Sequence, residues 1–488
     1  MKLLELCERL GTVCPASLRD EDILGITSNS AQVKEGYLFF CLRGKKHDGH
    51  HYVDEALMRG AVCVAIEDEK YKCGRSITVS STRAYLARAM DILCGEPSKK
   101  LKFIGITGTN GKTSVSMMLK HILDDADISC EVIGTLNCSS FSEKNETTST
   151  NFTTPDPEEL YPMLQRISGA GKKYVIMETS SHALKLCKLD PISFEIGIFT
   201  NLTEDHLDFH GTMEDYFKSK SRLFDKCKLG IINTDDPFGK RISECAPCEK
   251  KTCSEIGNAD FCALNINNCA VDGYDYEIES GGDITRIKCK VPGKFSIMNS
   301  MQAAAAALTL GIDKDIIERS FESFSGVKGR LEKAVLSQGR DLAVFIDYAH
   351  TPDALQKVLD TLNSFKEDGQ RVIVLFGCGG DREREKRALM GKIATDNASL
   401  VVITSDNPRS EDPNQILNDI LRGCEDAGNF VLIPNRRDAI EYVIATSRRG
   451  DIILLAGKGH EDYEIDATGR HPFDEREVLR IALDRYCK

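Results

Sequence analysis

Residues 103–114 constrain the fold of this chain more than any other segment. A β-branched apolar run ends at Thr107, a glycine-containing turn covers residues 108–111, and a helical pattern follows over residues 114–123. This order predicts a strand, a loop and the N-terminus of a helix. Free backbone N–H groups and the positive end of the helix dipole converge at such a point, so the segment predicts an anion site.

The side chains that close the turn indicate that the anion is a nucleoside triphosphate. Lys112 can reach the β- and γ-phosphates, and the Thr113 hydroxyl can bind Mg²⁺. The strict P-loop pattern has a glycine where this chain has Ile106, so an alternative is a glycine-rich turn with an exposed lysine. The order of strand, loop and helix favours the nucleotide. The predicted contacts are Gly108, Thr109, Asn110, Gly111, Lys112, Thr113 and Ser114.

Length and charge narrow the class of protein. The 488 residues predict about three domains at roughly 150 residues each. The net charge of -12 is not offset by a basic stripe, which argues against nucleic-acid binding. Residues 1–8 read as an amphipathic helix rather than a signal peptide, and no apolar stretch reaches the roughly 20 residues that span a bilayer. We expect a cytoplasmic monomer without membrane or nucleic-acid partners.

The 19 cysteines favour free thiols, because their number is odd and they are scattered along a large chain without a secretion signal. One C-x-x-C pair, Cys245 and Cys248, has Cys253 and Cys262 downstream. A zinc site needs four converging ligands, which a lone pair rarely supplies. We therefore favour an inert cysteine-rich loop over a zinc or redox site.

The pattern of apolar runs predicts an α/β fold in three domains, at residues 1–98, 99–330 and 331–488. Short β-branched runs alternate with helical patterns from residue 101 onward, which is typical of parallel sheets covered on both faces. The central domain should resemble a P-loop ATPase, and the C-terminal domain a Rossmann fold. Residues 255–292 alternate and predict an antiparallel hairpin. The predicted parallel strands cover residues 103–107, 174–177, 196–200, 230–233, 342–347, 371–376, 400–404 and 451–456.

Polar residues follow two of these strands. Glu178 ends one strand beside the phosphate loop, where a carboxylate can hold Mg²⁺. Residues 200–211, T-N-L-T-E-D-H-L-D-F-H-G, follow another strand and contain His206 and His210. Two histidines and three acids in seven residues suit metal binding or proton transfer, whereas the alternative is a polar surface loop.

Six motifs together resemble those of the Mur ligases, in matching order. The motifs cover residues 107–113, 177–182, 201–208, 329–332, 347–352 and 457–461. Mur ligases are ATP-dependent, amide-bond-forming enzymes of peptidoglycan precursor synthesis. The resemblance implies that ATP phosphorylates a substrate carboxylate and that an amine then attacks the acyl phosphate.

Within that family, the sequence Asp406, Asn407, Pro408 and Arg409 resembles the signature of members that add meso-diaminopimelate to UDP-N-acetylmuramoyl-L-alanyl-D-glutamate. Three alternatives remain open: a lysine-adding member, a folyl-polyglutamate-type ligase, and a non-catalytic nucleotide-binding relative. Folyl relatives are not expected to carry D-N-P-R. Lys112, Glu178, His206 and Lys220 are all present, which argues against a non-catalytic site.

The resemblance also implies roles for individual residues. The catalytic set is Lys112, Glu178, His206 and Lys220. The Mg²⁺ ligands are Thr113, Glu178, His206 and Lys220, the last as a carbamate formed with CO₂. Further ATP contacts are Asn299, Arg330, Asp347 and His350. The UDP-muramoyl-dipeptide contacts are Ser30, Thr153, Thr154, Ser180 and Lys188. The diaminopimelate contacts are Arg382, Asp406, Asn407, Pro408, Arg409, Gly457 and Glu461.

For Lys220 the local sequence pattern and the resemblance to the Mur ligases predict different environments. Residues 216–224 read as an amphipathic helix whose basic face, with Lys218, Lys220 and Arg222, is typical of a solvated charge run. In the related ligases the lysine at this place is carbamylated and bridges metal. A carbamate would replace a repelling ammonium with two oxygen ligands.

Overall fold

The computed structural model of the chain describes residues 1–44, 47–136, 153–334, 342–425 and 427–486. In these residues three successive sheets carry helices packed on their faces. The α/β architecture in three sheet-containing units is the predicted one. The exact boundaries at residues 98 and 330 stay predictions.

The N-terminal unit is built on a small parallel sheet of order β1-β2-β3-β4. Its inner strands are continuous apolar runs, and β3 is buried along its whole length. The strands are β1 (Gly25–Thr27), β2 (Tyr37–Phe40), β3 (Ala61–Ile66) and β4 (Ser76–Thr78). The helices are α1 (Leu3–Leu10), α2 (Val53–Met58), α3 (Thr82–Leu93) and α4 (Pro97–Lys100).

The central unit contains a nine-stranded sheet of order β13-β12-β11-β10-β9-β8-β5-β7-β6. The strands from β6 to β11 in this order are parallel, and β11, β12 and β13 are antiparallel neighbours, which confirms the predicted hairpin. The strands are β5 (Lys102–Thr107), β6 (Cys130–Ile133), β7 (Tyr174–Glu178), β8 (Phe194–Phe199), β9 (Cys227–Asn233), β10 (Glu249–Ser254), β11 (Phe261–Asn268), β12 (Tyr274–Ser280) and β13 (Asp283–Cys289). The helices are α5 (Lys112–Asp125), α6 (Pro157–Gly169), α7 (Ser181–Lys185), α8 (Leu207–His210), α9 (Met213–Ser221), α10 (Pro237–Cys245), α11 (Phe295–Thr309) and α12 (Lys314–Ser323).

The C-terminal unit has a six-stranded sheet of order β14-β15-β19-β16-β17-β18. All neighbours are parallel except β14 and β15, and a separate hairpin pairs β20 with β21. The strands are β14 (Glu332–Ala334), β15 (Ala343–Asp347), β16 (Val372–Phe376), β17 (Leu400–Ile403), β18 (Phe430–Leu432), β19 (Ile452–Ala456), β20 (Tyr463–Asp466) and β21 (Gly469–Pro472). The helices are α13 (Pro352–Ser364), α14 (Glu385–Asn397), α15 (Pro413–Leu421), α16 (Arg436–Thr446) and α17 (Glu475–Tyr486).

The order β8-β5-β7, next to the β6 edge of the central sheet, brings three functional segments together. In the strand register Ile106 is opposite Glu178, and Thr107 is opposite Phe199. Because the strands are parallel, the loops that follow them leave the same edge of the sheet. Residues 108–111, 179–182 and 200–206 are therefore neighbours in space.

Candidate active site

Two lysine side chains converge on one carbonyl of the phosphate loop. Lys112 Nζ donates to the Gly108 oxygen at 2.9 Å and to the Thr109 oxygen at 2.8 Å. Lys220 Nζ donates to the same Gly108 oxygen at 2.7 Å. Both side chains lie beside the N-terminus of α5, where the positive end of the helix dipole attracts anions.

The Lys220 side chain is buried, so the sequence interpretation of a solvated charge run is wrong for this residue. It is 2% exposed, and its Nζ lies 4.6 Å from the centre of the Tyr216 ring. Burial, and then the charge of Lys112, lowers the pKa of Lys220 well below its usual range. Lys218, on the same helix, is exposed as predicted. Helix α9 therefore presents one lysine to the site and one to solvent.

The Glu178 carboxylate lies beside the Thr113 hydroxyl at the end of β7. Thr113 Oγ1 donates to Glu178 Oε2 at 3.1 Å, and both residues are buried. The backbone N–H of Thr135 donates to Oε1 at 3.0 Å, and the Thr135 hydroxyl donates to Oε2 at 3.1 Å. These bonds fix the carboxylate next to the first turn of α5, where a carboxylate and a hydroxyl are donors that suit Mg²⁺.

Gly111 allows the phosphate loop to lie against helix α11. Its φ is +86°, and a Cβ atom there would lie 2.5 Å from Asn299 Oδ1. Both the left-handed backbone and the close approach require glycine. The predicted ATP contact Asn299 is thus next to the loop, and it is buried.

Arg330 connects the start of the C-terminal unit with the phosphate loop. Its Nη2 lies 3.3 Å from Thr113 Oγ1, and its guanidinium lies 4.7 Å from the centre of the Tyr348 ring. The buried Nε atom has no hydrogen-bond partner among the described residues. An arginine with a free donor beside a phosphate loop is suited to a phosphate oxygen.

Asp347 ends β15 and accepts hydrogen bonds from two backbone N–H groups, those of Leu331 at 2.5 Å and Ala349 at 2.7 Å. Burial raises the pKa of its carboxyl group. His350 is exposed, and its Nδ1 lies 2.8 Å from the Tyr348 oxygen. Asp347 is the last residue of β15, and His350 lies in the short loop between β15 and α13.

Three histidines, His182, His206 and His210, form a cluster near the ends of β7 and β8. The His182 ring stacks on Phe209 at 4.0 Å, and its centre lies 5.0 Å from that of His206 and 5.6 Å from that of His210. His206 adopts a left-handed backbone with φ of +55°, and its Nε2 lies 3.4 Å from Asp205 Oδ2. Burial lowers the pKa of His182 and of His210 to about 4. The cluster therefore presents neutral imidazoles at neutral pH.

The residues predicted for the UDP-muramoyl-dipeptide fall into two places. Thr154 Oγ1 donates to the Glu178 backbone oxygen at 2.7 Å, and the Ser180 N–H donates to Thr154 Oγ1 at 3.0 Å. Lys188 is buried and pairs with Asp156 Oδ1 at 2.7 Å. Thr153 is half-buried next to Thr154. Ser30 is half-buried in a short 3₁₀ turn of the N-terminal unit.

The residues predicted for diaminopimelate gather at the ends of β16, β17 and β19, except for Arg382. Asn407 Nδ2 donates to Glu461 Oε2 at 2.8 Å, and Asn407 Oδ1 accepts from Lys458 Nζ at 3.1 Å. Asp406 lies 3.6 Å from Lys458, and a Cβ atom on Gly457 would lie 2.5 Å from Asp406 Oδ2. Burial, and then the Asp406 charge, raises the pKa of Glu461.

The Arg409 side chain is half-buried and lies between two loops. Its Nη1 donates to the Gly380 oxygen at 2.8 Å and lies 3.5 Å from the Asn407 oxygen. Pro408, before it, is buried, whereas Arg382 is exposed. The guanidinium is therefore held by the loop that follows β16, and Arg382 is not held in this cluster.

Comparison with known proteins assigns the family. Three family models match in order: "Mur ligase family, catalytic domain" at residues 22–92, "Mur ligase middle domain" at residues 106–307, and "Mur ligase, glutamate ligase domain" at residues 329–459. A protein of Syntrophomonas wolfei named UDP-N-acetylmuramoyl-L-alanyl-D-glutamate--2,6-diaminopimelate ligase is 38% identical over 494 residues, covering 99% of each chain. This chain belongs to the Mur ligase family.

Further relatives support the assignment. A Clostridioides difficile protein of the same name is 38% identical over 491 residues, covering 99% of this Mur ligase and 100% of the relative. A solved structure of a ligase of that name has a TM-score of 0.68 and 30% identity, covering 98% of both chains. A folylpolyglutamate synthase from Mycobacterium tuberculosis has a TM-score of 0.60 at 18% identity, covering 76% of this chain and 92% of its own, which shows a shared fold.

Oxygen ligands at the phosphate loop of this Mur ligase fit a hard cation. Thr113 and Glu178 supply a hydroxyl and a carboxylate that are already in contact. Among the described residues, no three His, Cys, Asp or Glu side chains are grouped closely enough to hold a metal without other ligands. Mg²⁺ is commonly held by one or two carboxylates together with substrate phosphates, so this donor set suits it.

Several positioning residues were not identified by the sequence reasoning. Asp353 in α13 contacts the phosphate loop, and its one sequence signal is its place directly after the motif at residues 347–352. Arg387 is fully buried and pairs with Glu411 at 2.9 Å and Asp419 at 3.0 Å, fixing the loops around Arg409.

No membrane-spanning helix, by length and apolarity, occurs in the part of the chain that the structure describes.

Proposed function

We propose that this Mur ligase is an ATP-dependent amide ligase of peptidoglycan precursor synthesis. It adds meso-diaminopimelate to UDP-N-acetylmuramoyl-L-alanyl-D-glutamate and releases ADP and phosphate. The observation that carries the proposal is the convergence of Lys112 and Lys220 on the Gly108 carbonyl, beside Thr113 and Glu178. The full-length similarity to relatives of that name supports the choice of substrates. A cytoplasmic location and a monomeric state belong to the same proposal.

The first chemical step activates the substrate carboxylate. A carboxylate oxygen of the D-glutamate side chain attacks the γ-phosphorus of ATP, the bond to the β-phosphate oxygen breaks, and ADP leaves. Lys112, Arg330 and the loop N–H groups stabilise the charge on the phosphate oxygens during this transfer. Most of the catalytic effect comes from positioning and charge neutralisation rather than from covalent chemistry of the protein.

The second step forms the amide. The neutral amine of diaminopimelate attacks the acyl carbon and forms a tetrahedral intermediate. The nitrogen loses a proton to water, and inorganic phosphate leaves with the bonding electrons of the C–O bond. Mg²⁺, when bound, neutralises phosphate charge in both steps. Thr113 and Glu178 would hold one ion, and His206 and a Lys220 carbamate would help to hold a second.

The environment of the Lys220 Nζ atom supports the proposed carbamate. A neutral amine adds to CO₂, forms an N–C bond and releases a proton, leaving a carbamate with two oxygen ligands. Burial and the neighbouring Lys112 disfavour the ammonium form that could not react. Lys220 and His206 both face Tyr216, with Nζ 4.6 Å and the imidazole centre 6.3 Å from the tyrosine ring centre.

Selectivity for diaminopimelate is assigned to Arg409. The second carboxylate of this amino acid, absent from lysine, can accept two charge-assisted hydrogen bonds from the guanidinium. Asn407 and Glu461, held together at 2.8 Å, supply polar groups for the far amino-acid end. Asp406, Pro408, Gly457 and Arg382 complete the proposed pocket.

The test is product formation by purified enzyme. Incubation with ATP, Mg²⁺, UDP-muramoyl-dipeptide and meso-diaminopimelate should yield the UDP-muramoyl-tripeptide by mass spectrometry, with one phosphate released for each product molecule. Omitting either the dipeptide substrate or diaminopimelate should abolish the product. Phosphate release that does not depend on the dipeptide substrate would contradict the proposed reaction.

A further inference from the structure

We propose that Asp353 is a positioning residue that locks the phosphate loop in its nucleotide-binding shape when the C-terminal unit docks on the central unit. The inference rests on the proposed ligase function. Asp353 lies in the first turn of α13, and its Oδ2 accepts from Asn110 Nδ2 at 2.8 Å and from Thr203 Oγ1 at 3.1 Å. One carboxylate oxygen of the C-terminal unit thus contacts two loops of the central sheet.

The Asn110 backbone is anchored independently of this contact. The Asn110 N–H donates to Asn201 Oδ1 at 3.0 Å, and its carbonyl accepts from Thr200 Oγ1 at 2.6 Å. These bonds stay within the central unit, so they persist when the C-terminal unit moves away. The Asn110 side chain, by contrast, bonds across the unit boundary. It can therefore transmit the position of α13 to the middle of the phosphate loop.

Thr203 provides a second connection to the same loop. Its hydroxyl donates to Asp353, while its backbone N–H donates to Thr109 Oγ1 at 3.0 Å and its carbonyl accepts from that hydroxyl at 3.1 Å. Asp353 thus holds Asn110 directly and Thr109 through Thr203. The two residues are consecutive in the phosphate loop, and the N–H groups of both donate to Asn201, so their positions set the path of the loop before Gly111.

The N-terminus of α13 favours a carboxylate at position 353. Thr351 caps α13, Pro352 occupies its first turn, and the positive end of the helix dipole favours a negative charge there. Lys357, one turn on, lies 3.0 Å from Asp353 Oδ2. Asp353 is therefore oriented by its own helix before the units meet. A preoriented acceptor makes the bonds to the loops without a large loss of side-chain freedom.

A residue that positions the phosphate loop in this way should affect kcat much more than the Kd for ATP. ATP can bind to the central unit through contacts that do not involve Asp353, whereas the phosphoryl-transfer geometry needs the docked arrangement. Asp353→Ala should lower kcat by roughly 10- to 100-fold, the range expected for one or two charge-assisted hydrogen bonds. The Kd for ATP, measured by calorimetry without the other substrates, should change less than about threefold. Asp353→Asn, which keeps an oxygen acceptor, should lose less.

A double-mutant cycle tests the coupling directly. Asn110→Ala should reduce kcat by a similar factor, and the Asn110→Ala/Asp353→Ala enzyme should be no slower than the worse single variant, because both remove one interaction. The matched control is Asp360→Asn, an exposed acid on the same helix, with wild-type kcat expected. Thermal melting checks the fold of every variant. Additive losses, or wild-type kcat in Asp353→Ala, would overturn the proposal.

A readout without turnover distinguishes this inference from the proposed function. If the wild-type enzyme makes no tripeptide, the assigned substrates are wrong, and hydrogen–deuterium exchange of residues 107–113 in wild type and Asp353→Ala still tests the lock. Faster exchange of these amides in Asp353→Ala would support it. Equal exchange in the two proteins would overturn it.

Discussion

Replacement of Lys220 by alanine should nearly abolish ligase activity. The side chain is 2% exposed, and its Nζ contributes both the 2.7 Å bond to Gly108 and, as a carbamate, the proposed metal ligand. Removal of one preorganised group that stabilises transition-state charge typically costs about 3 to 4 kcal/mol, or roughly 10²- to 10³-fold in kcat. A lost metal ligand adds to this loss. We therefore expect Lys220→Ala to be at least about 100-fold slower.

The assay is steady-state phosphate release, with Lys218→Ala as the matched control. Lys218 lies on the same helix but is exposed, so its replacement should leave kcat unchanged. Acetate added to Lys220→Ala should restore part of the activity, because a small carboxylate can supply the missing oxygen ligands. Full activity in Lys220→Ala would refute the role of this side chain. An unmodified Lys220, by intact mass and crystallography, in fully active enzyme would refute the carbamate.

Three further predictions address other parts of the molecule. Lys112→Ala should lower kcat by roughly 100-fold or more, and a near-normal rate of ATP-dependent phosphate release would remove the phosphate loop from the mechanism. Arg409→Ala should reduce kcat/KM for diaminopimelate by roughly 100-fold or more while the calorimetric Kd for ATP stays near that of wild type; equal losses in both would contradict a specificity role. Burial raises the pKa of the Glu255 carboxyl group from 4.5 to about 7 because it penalises the charged carboxylate. The folded protein therefore has its full stability below pH 4.5, where the carboxyl group is protonated, and loses stability as the pH rises through about 7. Glu255→Gln should therefore gain about 1 to 3 kcal/mol relative to wild type between pH 5 and pH 8 in urea unfolding; parallel pH profiles would show that the carboxyl group is not responsible.

Eight parallel strands of the central and C-terminal sheets were predictable because buried parallel strands are continuous apolar runs, whereas β6, β10, β14 and β18 were not predicted. Observed bounds such as Lys102–Thr107 and Val372–Phe376 differ by one residue from the predicted runs. The phosphate loop was equally predictable from the sequence, since its strand, turn and helix are contiguous along the chain. The N-terminal sheet was not predicted, because strands as short as Gly25–Thr27 and Ser76–Thr78 are too brief to show a period.

The environments of single side chains depended on contacts between distant parts of the chain. Lys220 meets a carbonyl 112 residues away, so its local amphipathic pattern gave the wrong exposure. Asn110 meets Asp353 across 243 residues, and the place of the two residues in or beside motifs does not identify them as partners. Local sequence patterns thus predict which residue types can take part in a site. The burial and the partners of each side chain depend on how the three sheets pack together.

The most direct test of the central claim is the substrate preference of the wild-type enzyme. Phosphate release is measured with UDP-muramoyl-dipeptide and each of meso-diaminopimelate, lysine and ornithine, and kcat/KM is compared. Lysine and ornithine would leave the Arg409 guanidinium without a carboxylate, which should cost several kcal/mol. We therefore expect a preference for diaminopimelate of roughly 10³-fold or more. Equal use of lysine would contradict the assigned specificity, and no release with any of the three would contradict the ligase itself.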